Sequence, residues 1–171
     1  MSKLSLAYIF QQQQLLVDQH FQLPRVEALA SDLLLHTGDQ VIARDLLPDE
    51  PIPAGLQLVP IRQLLQFWNT QQFEQASRAV QLLEWRRNHK FCSHCGTATE
   101  AHAVEYAMVC PSCNYRQYPR VQPCVITVIT RGKDEILLAK NARNTKSQMY
   151  GLIAGFVEVG ETLEDAVRRE T

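Results

Sequence analysis

Two cysteine pairs, Cys92-Ser-His-Cys95 and Cys110-Pro-Ser-Cys113, stand fourteen residues apart and constrain this chain more than any other feature. A C-x-x-C pair bends two sulfurs onto one point from a tight turn. Two such turns facing each other supply a closed tetrahedral set of four thiolates, the donor set of a structural zinc ion. Gly96 and Asn114 follow the second cysteine of each pair, where such a knuckle needs an unusual backbone angle. Zinc ribbons commonly leave about 15–20 residues between the pairs, filled by a short hairpin. Val104 to Val109 is expected to be one of its strands. A redox C-x-x-C normally occurs once, at a strand-to-helix turn, and an iron–sulfur centre is less usual at this spacing. Four sulfurs leave no position open for water or substrate, so the zinc is structural, worth on the order of 10 kcal/mol to folding. His89, His94 and His102 are read as surface histidines rather than ligands, and Cys124, on an apolar run, as a small buried residue.

The metal reading assumes reduced thiols. No apolar run approaches the roughly 20 residues that span a bilayer. Met1 to Phe10 passes directly into Gln11–Gln14 without a small-residue cleavage signal, so no leader is read, and the expectation is a cytoplasmic chain without a membrane partner. With 17 Lys plus Arg against 18 Asp plus Glu, the net charge of -1 implies neither a strong polyanion binder nor an acidic tail.

Around the cysteines the patterning predicts an α+β chain. Leu4 to Phe10, Gln13 to Val17 and Val41 to Ala43 read as short strands. Leu29 to His36 fits strand or helix, and Pro48, Pro51, Pro53 and Gly55 mark a loop. Phe73 to Arg87 reads as a helix, with Phe73, Ala76, Val80 and Leu83 on a stripe widened by Ala79 and Leu82. Asn69 or Thr70 caps it, and Arg86 and Arg87 suit its C-terminal dipole. Beyond the cysteines, Cys124 to Thr130, Glu135 to Lys140 and Tyr150 to Phe156 read as strands. Thr162 starts a second helix, with Asp165 in a capping-box-like position.

The second motif lies over that last strand and helix. Gly155, Glu161 and Arg169-Glu170 have the spacing G-x5-E-x7-R-E. An acidic, capped amphipathic helix is the bland alternative. This pattern resembles the opening of the Nudix signature, G-x5-E-x7-R-E-U-x-E-E-x-G-U. Glutamates on one helical face, beside a glycine that permits close approach, suit a hard divalent cation that neutralises phosphoryl oxygens. The resemblance implies that Glu170 and the backbone carbonyl of Ala154 are ligands of Mg²⁺ or Mn²⁺. It also implies that Glu161 and Arg169 hold loop and helix together.

A four-cysteine ribbon before a Nudix box is similar to the NADH pyrophosphatases. The likeness is sharpest in H-K-F-C-S-H-C-G, E-Y-A-M-V-C-P-S-C, Y-P-R-V-Q-P-C-V-I and L-I-A-G-F-V-E-V-G-E-T-L-E, and weak before Pro60. It implies a β-rich N-terminal domain with a helix (1–88), a zinc ribbon (89–119) and the first strands and partial helix of an α/β/α Nudix domain (120–171). It further implies a homodimer that hydrolyses NADH or NAD⁺ to nicotinamide mononucleotide and AMP, and that removes NAD caps from RNA. Glu105, Tyr118 and Phe156 take substrate-contacting positions, with Phe156 stacking on the nicotinamide ring. Arg25 and Arg62 match further basic substrate positions and suit a solvated surface equally well.

The family's box continues with two more glutamates after Glu170, whereas only Thr171 follows here. The expectation is a polypeptide truncated within its box and inactive alone. The competing reading is a zinc-ribbon binding module for RNA or a partner protein, using Tyr115, Arg116, Tyr118 and Arg120.

Overall fold

The computed structural model describes residues 4–37, 39–140, 142 and 149–171, with the side chains of 36, 37, 39 and 40 left out of account. Residues 1–3, on which the reading of the leader partly rested, lie outside the described residues. The chain forms two compact units, Met1–Pro119 and Arg120–Thr171. Its architecture is α+β.

The first unit is built on a six-stranded sheet. Strands β1 (Ser5–Gln11), β2 (Gln14–Asp18), β3 (Arg25–Val26), β4 (Leu33–Thr37), β5 (Asp39–Asp45) and β6 (Leu56–Pro60) run in the order β4-β5-β1-β2-β6, with β3 also on β1. All pairs are antiparallel except β1 with β5, which pair in parallel from Leu6↔Val41 to Phe10↔Asp45. Strand alternation sorts the apolar residues onto two faces. Tyr8, Phe10, Leu15, Val17, Val41 and Ala43 pack on one side, and Ala7, Ile9, Leu16 and Ile42 on the other. Central β1 is thus buried on both faces, which is why it reads as an unbroken apolar run.

A 3₁₀ turn over Ile61–Gln66 leads into helix α1 (Thr70–Asn88). Asn69 is the cap: its side chain accepts from the Gln72 N–H, and the Gln72 side chain accepts from the Asn69 N–H in return. Ala76, Ala79, Leu82, Leu83 and Trp85 of α1 complete the first face of the sheet.

Leu29 to His36 resolves into a turn followed by β4. The Asp32 carboxylate accepts from the Leu29 N–H at 2.7 Å, and the Asp32 N–H closes back onto the Leu29 carbonyl. The same carboxylate takes two bonds from Arg44, at 2.7 and 2.8 Å. Burial opposes its ionisation, but Arg44 and the Leu29 N–H prevail and hold the Asp32 carboxyl below its ordinary range.

The ribbon adds β7 (Glu100–Ala101), β8 (Met108–Val109) and β9 (Arg116–Gln117) in one small antiparallel sheet. The strand expected over Val104–Val109 is only its last two residues. The His102 ring nitrogen accepts from the N–H groups of Val104 and Glu105, and Ala107 N–H turns back onto the Glu105 carbonyl, so the chain bends where extension was expected. Met108 reaches the core under α1, and the Tyr106 hydroxyl donates to the Leu34 carbonyl.

The second unit contains β10 (Cys124–Thr127), β11 (Thr130–Arg131), β12 (Glu135–Ile136), β13 (Ile153–Phe156) and α2 (Leu163–Glu170). The run Cys124–Thr130 is not one strand. β10 pairs with β13 and β11 with β12, so the run changes partner near Val128. Cys124 is exposed, against expectation: alternation turns Val125 inward and leaves Cys124 and Ile126 on the open face. Thr162 caps α2, its hydroxyl oxygen accepting from the Asp165 N–H at 3.1 Å. No helix among the described residues is long and apolar enough to cross a membrane.

The Asp32–Arg44 pair generates a prediction. The Asp32 side chain is only 2% exposed, so Arg44→Met strands a carboxylate and should lower stability by about 3 kcal/mol in urea unfolding at neutral pH. Because the folded-state pKa is lowered, the pair's contribution is present above the ordinary carboxyl range and is lost as pH falls through the lowered value. The gap between wild type and variant should therefore shrink in acid. A gap that widens in acid would contradict this assignment.

Candidate functional site

The two knuckles fold alike. The Gly96 N–H bonds the Cys92 carbonyl at 2.9 Å, and the Asn114 N–H bonds the Cys110 carbonyl at 2.9 Å. The Cys92 N–H then takes the Thr97 carbonyl, and the Cys110 N–H the Tyr115 carbonyl. Both turns require a left-handed residue after the second cysteine: φ is +78° at Gly96 and +57° at Asn114. Gly tolerates this freely and Asn better than most residues, so the sequence supplies what each turn demands.

This geometry brings the sulfurs of Cys92, Cys95, Cys110 and Cys113 within 4.8 Å of one another. Individual pairs lie at 3.4, 3.5 and 3.7 Å. Zinc–sulfur bonds of about 2.3 Å in a tetrahedron require sulfur–sulfur edges close to 3.8 Å, so the donor set fits zinc with little movement. The thiols influence one another strongly. Hydrogen bonds from Thr97, then from Cys110 and Cys113, pull the Cys95 thiol down to about 6. For Cys113 the Tyr115 N–H favours the thiolate, but burial and the three neighbouring thiols outweigh it and push that thiol up to about 12. A metal-free quartet therefore keeps some protons that a bound cation displaces. The Thr97 hydroxyl beside the Cys95 sulfur was not singled out from the sequence; its only signal is a polar residue two places beyond the knuckle cysteine.

His89, His94 and His102 do not join the sulfur cluster. His89 contacts the Trp85 carbonyl, His94 stacks on Tyr115, and His102 organises the bend before β8. That bend presents Glu105 to Tyr118, whose hydroxyl donates to Glu105 Oε2 at 3.1 Å. Arg116 Nη1 approaches the same oxygen at 3.4 Å. Arg116, expected among RNA contacts, lies beside Glu105 instead. Arg25, in β3, and Arg62, in the 3₁₀ turn, are both exposed, and the structure joins neither to the Glu105–Tyr118 pair.

The second unit assembles the G-x5-E-x7-R-E residues around one guanidinium. Arg169 grips both Glu161 oxygens, at 2.6 and 2.9 Å, in a forked pair. It also donates to the Phe156 carbonyl at 2.8 Å and to Glu170 Oε1 at 2.6 Å. Strand end, loop and helix thus meet at one side chain. Arg169, then the Glu158 N–H, hold the Glu161 carboxyl down at about 2. A carboxylate committed to that clamp has little capacity left for a metal.

Glu170 differs. Its carboxylate lies directly over Gly155, where an added Cβ would come 2.1 Å from Glu170 Cδ. Only glycine leaves that space, and the packing brings the acid against the backbone that follows Ala154. Phe156, the next residue, exposes 66% of its surface, so its ring face is open to a flat partner.

Reconstitution tests the ribbon. The chain purified under reducing conditions should hold one zinc per molecule by elemental analysis. Cys110→Ser, at a fully buried ligand, should abolish stoichiometric zinc and lower the stability of the first unit. A folded, reduced chain without zinc would contradict the assignment.

Known proteins resemble this chain in both regions. Residues 87–118 match the family model described as the NADH pyrophosphatase zinc ribbon domain, and residues 120–171 match that of the NUDIX domain. Curated relatives include the NAD-capped RNA hydrolase NudC of Chromobacterium violaceum, 39% identical over 137 residues, covering 80% of this chain and 51% of that protein. Another is the NAD-capped RNA hydrolase NudC of Yersinia pestis (strain Pestoides F), 48% identical over 119 residues, covering 70% of this chain and 44% of that protein. The chain spans about half the length of the curated relatives it matches. A ribbon of this kind joined to a hydrolase domain does not favour the free-standing binding module. Residues 87–118 thus match an NADH pyrophosphatase zinc ribbon and residues 120–171 a NUDIX domain, and across both the chain is similar to the NAD-capped RNA hydrolases.

Proposed function

We propose that this protein hydrolyses the diphosphate bond of NADH and NAD⁺, giving nicotinamide mononucleotide and AMP, and removes NAD caps from RNA. The observation that carries this reading is the Glu170 carboxylate seated on Gly155 and braced by the Arg169–Glu161 clamp. It is supported by the relatives, which are named NAD-capped RNA hydrolases.

In this reading residues 1–88 form the N-terminal part, 89–119 the ribbon and 120–171 the Nudix part. Glu170 and the Ala154 carbonyl hold Mg²⁺ or Mn²⁺. Once bound, the divalent ion neutralises charge on the phosphoryl oxygens. Arg169 and Glu161 fix Glu170 in place. Phe156 stacks on the nicotinamide ring, where an aromatic contact adds about 0.5–1.5 kcal/mol beyond burial. Glu105 and Tyr118 are substrate contacts, their shared hydrogen bond presetting both groups, and Arg25 and Arg62 are further cationic contacts. We assign a homodimer by kinship, and a cytoplasmic location because thiolate ligands need a reducing compartment.

The test uses the product of the full open reading frame. Glu170→Gln should lower Mn²⁺-dependent kcat on NADH by at least about a hundredfold, as loss of a transition-state charge stabiliser does. In the 171-residue chain, Mn²⁺ should broaden the amide resonances of Gly155 and Glu170, and the substitution should abolish that effect. Unchanged turnover in the variant would overturn the assignment.

A further inference from the structure

A cavity of about 1100 Å³ opens in the first unit between the β1–β2 hairpin, the end of β5, the last turn of α1 and the start of the ribbon. None of Arg25, Arg62, Glu105 or Tyr118 lines it. Its floor is apolar: Ala43, Leu46, Leu83 and Met108 are all buried there. Its lip is the Gln11–Gln14 turn, where Gln12 has φ +57° and Gln12 and Gln13 are exposed.

The rim is cationic. Arg44, Arg86, Arg87 and Lys90 face two acids, Asp45 and Glu84. Arg87 is paired with Asp45, and Arg44 is satisfied by Asp32. Arg86 donates only to a neutral group, the Ser31 carbonyl, and no ion pair engages Lys90 among the described residues. Two cations therefore stand against Glu84 and the partial negative charge of a helix C-terminus, which amounts to about half a unit. The balance favours an anion. An apolar floor with a few polar groups at its edge is the usual make-up of a small-molecule site, and sites of about 300–1000 Å³ hold drug-sized ligands.

We propose that this cavity is a nucleotide-binding site separate from the Nudix box. The base lies on the apolar floor, the glutamine amides of the hairpin reach its polar edge, and the phosphate meets Arg86 and Lys90. The ligand chemistry is a base carrying a 5′-phosphate, supplied by a free mononucleotide or by a nucleotide within an RNA strand. The site stands apart from the diphosphatase reading, since none of its residues belongs to that machinery.

The zinc-loaded 171-residue chain, without added divalent metal, is titrated with AMP, adenosine, inorganic phosphate and a five-nucleotide oligoadenylate, followed by amide chemical shifts. AMP should shift Gln12, Arg86, Lys90 and Thr99. Adenosine and phosphate should each bind at least about tenfold more weakly, the loss of one ionic or stacking contact. Lys90→Glu, at an exposed side chain, should weaken AMP about tenfold while zinc content stays at one per chain, and Arg86→Gln should act in the same direction. Oligoadenylate binding tighter than AMP assigns the site to RNA, and equal or weaker binding assigns it to free nucleotide. Glu170→Gln should leave the AMP shifts intact. Shifts that vanish in Glu170→Gln, that survive Lys90→Glu unchanged, or that never appear at millimolar ligand would each overturn the proposal.

Discussion

The sulfurs of Cys92, Cys95, Cys110 and Cys113 lie within 4.8 Å of one another, and four thiolates at that distance repel one another unless a cation sits between them. That constraint governs the ribbon and what the ribbon supports. The knuckles close only through the left-handed residues Gly96 and Asn114. Once closed, they fix the path of β7–β9, and that path inserts Met108 under α1 and seats the Tyr106 hydroxyl on Leu34. The ribbon is therefore part of the core of the first unit. Metal binding there is folding free energy for more than the ribbon itself.

The second unit depends on a different kind of constraint. Its apolar interior is small: Val125 and Ala166 are its only buried apolar residues among those described. Order at the strand–loop–helix junction comes instead from charge-assisted bonds gathered on Arg169. The division of labour between the two glutamates follows from this. Glu161 is spent on the guanidinium and stays ionised far into acid, whereas Glu170 is held by one bond and placed over a glycine. The same side chain that stabilises the loop thus also orients the Glu170 carboxylate.

What could be read from the sequence divides along the same lines. The ribbon and the box were legible because each needs particular residue types at fixed short spacing, as in the two C-x-x-C pairs or Gly155 and Glu161. Helix α1 was legible through its stripe and cap. The failures are places where long-range pairing or a side chain overrode local pattern. Val104–Glu105 bends because the His102 ring captures their N–H groups. Cys124–Thr130 breaks because β10 and β11 take different partners. Cys124 is exposed because β10 has one buried face, which an apolar run cannot reveal. The parallel pairing of β1 with β5 and the short strands β3 and β6 carry no local signal at all. The cavity beside α1 was likewise invisible, since its lining comes from six stretches of chain distant in sequence.

The proposed chemistry is defined by which bond is broken. Incubating the product of the full open reading frame with NAD⁺ and Mn²⁺, and separating the products by chromatography, tests it most directly. Cleavage at the diphosphate yields nicotinamide mononucleotide and AMP in equal amounts, which is the predicted result. Release of free nicotinamide with ADP-ribose, or NAD⁺ left intact, would contradict it.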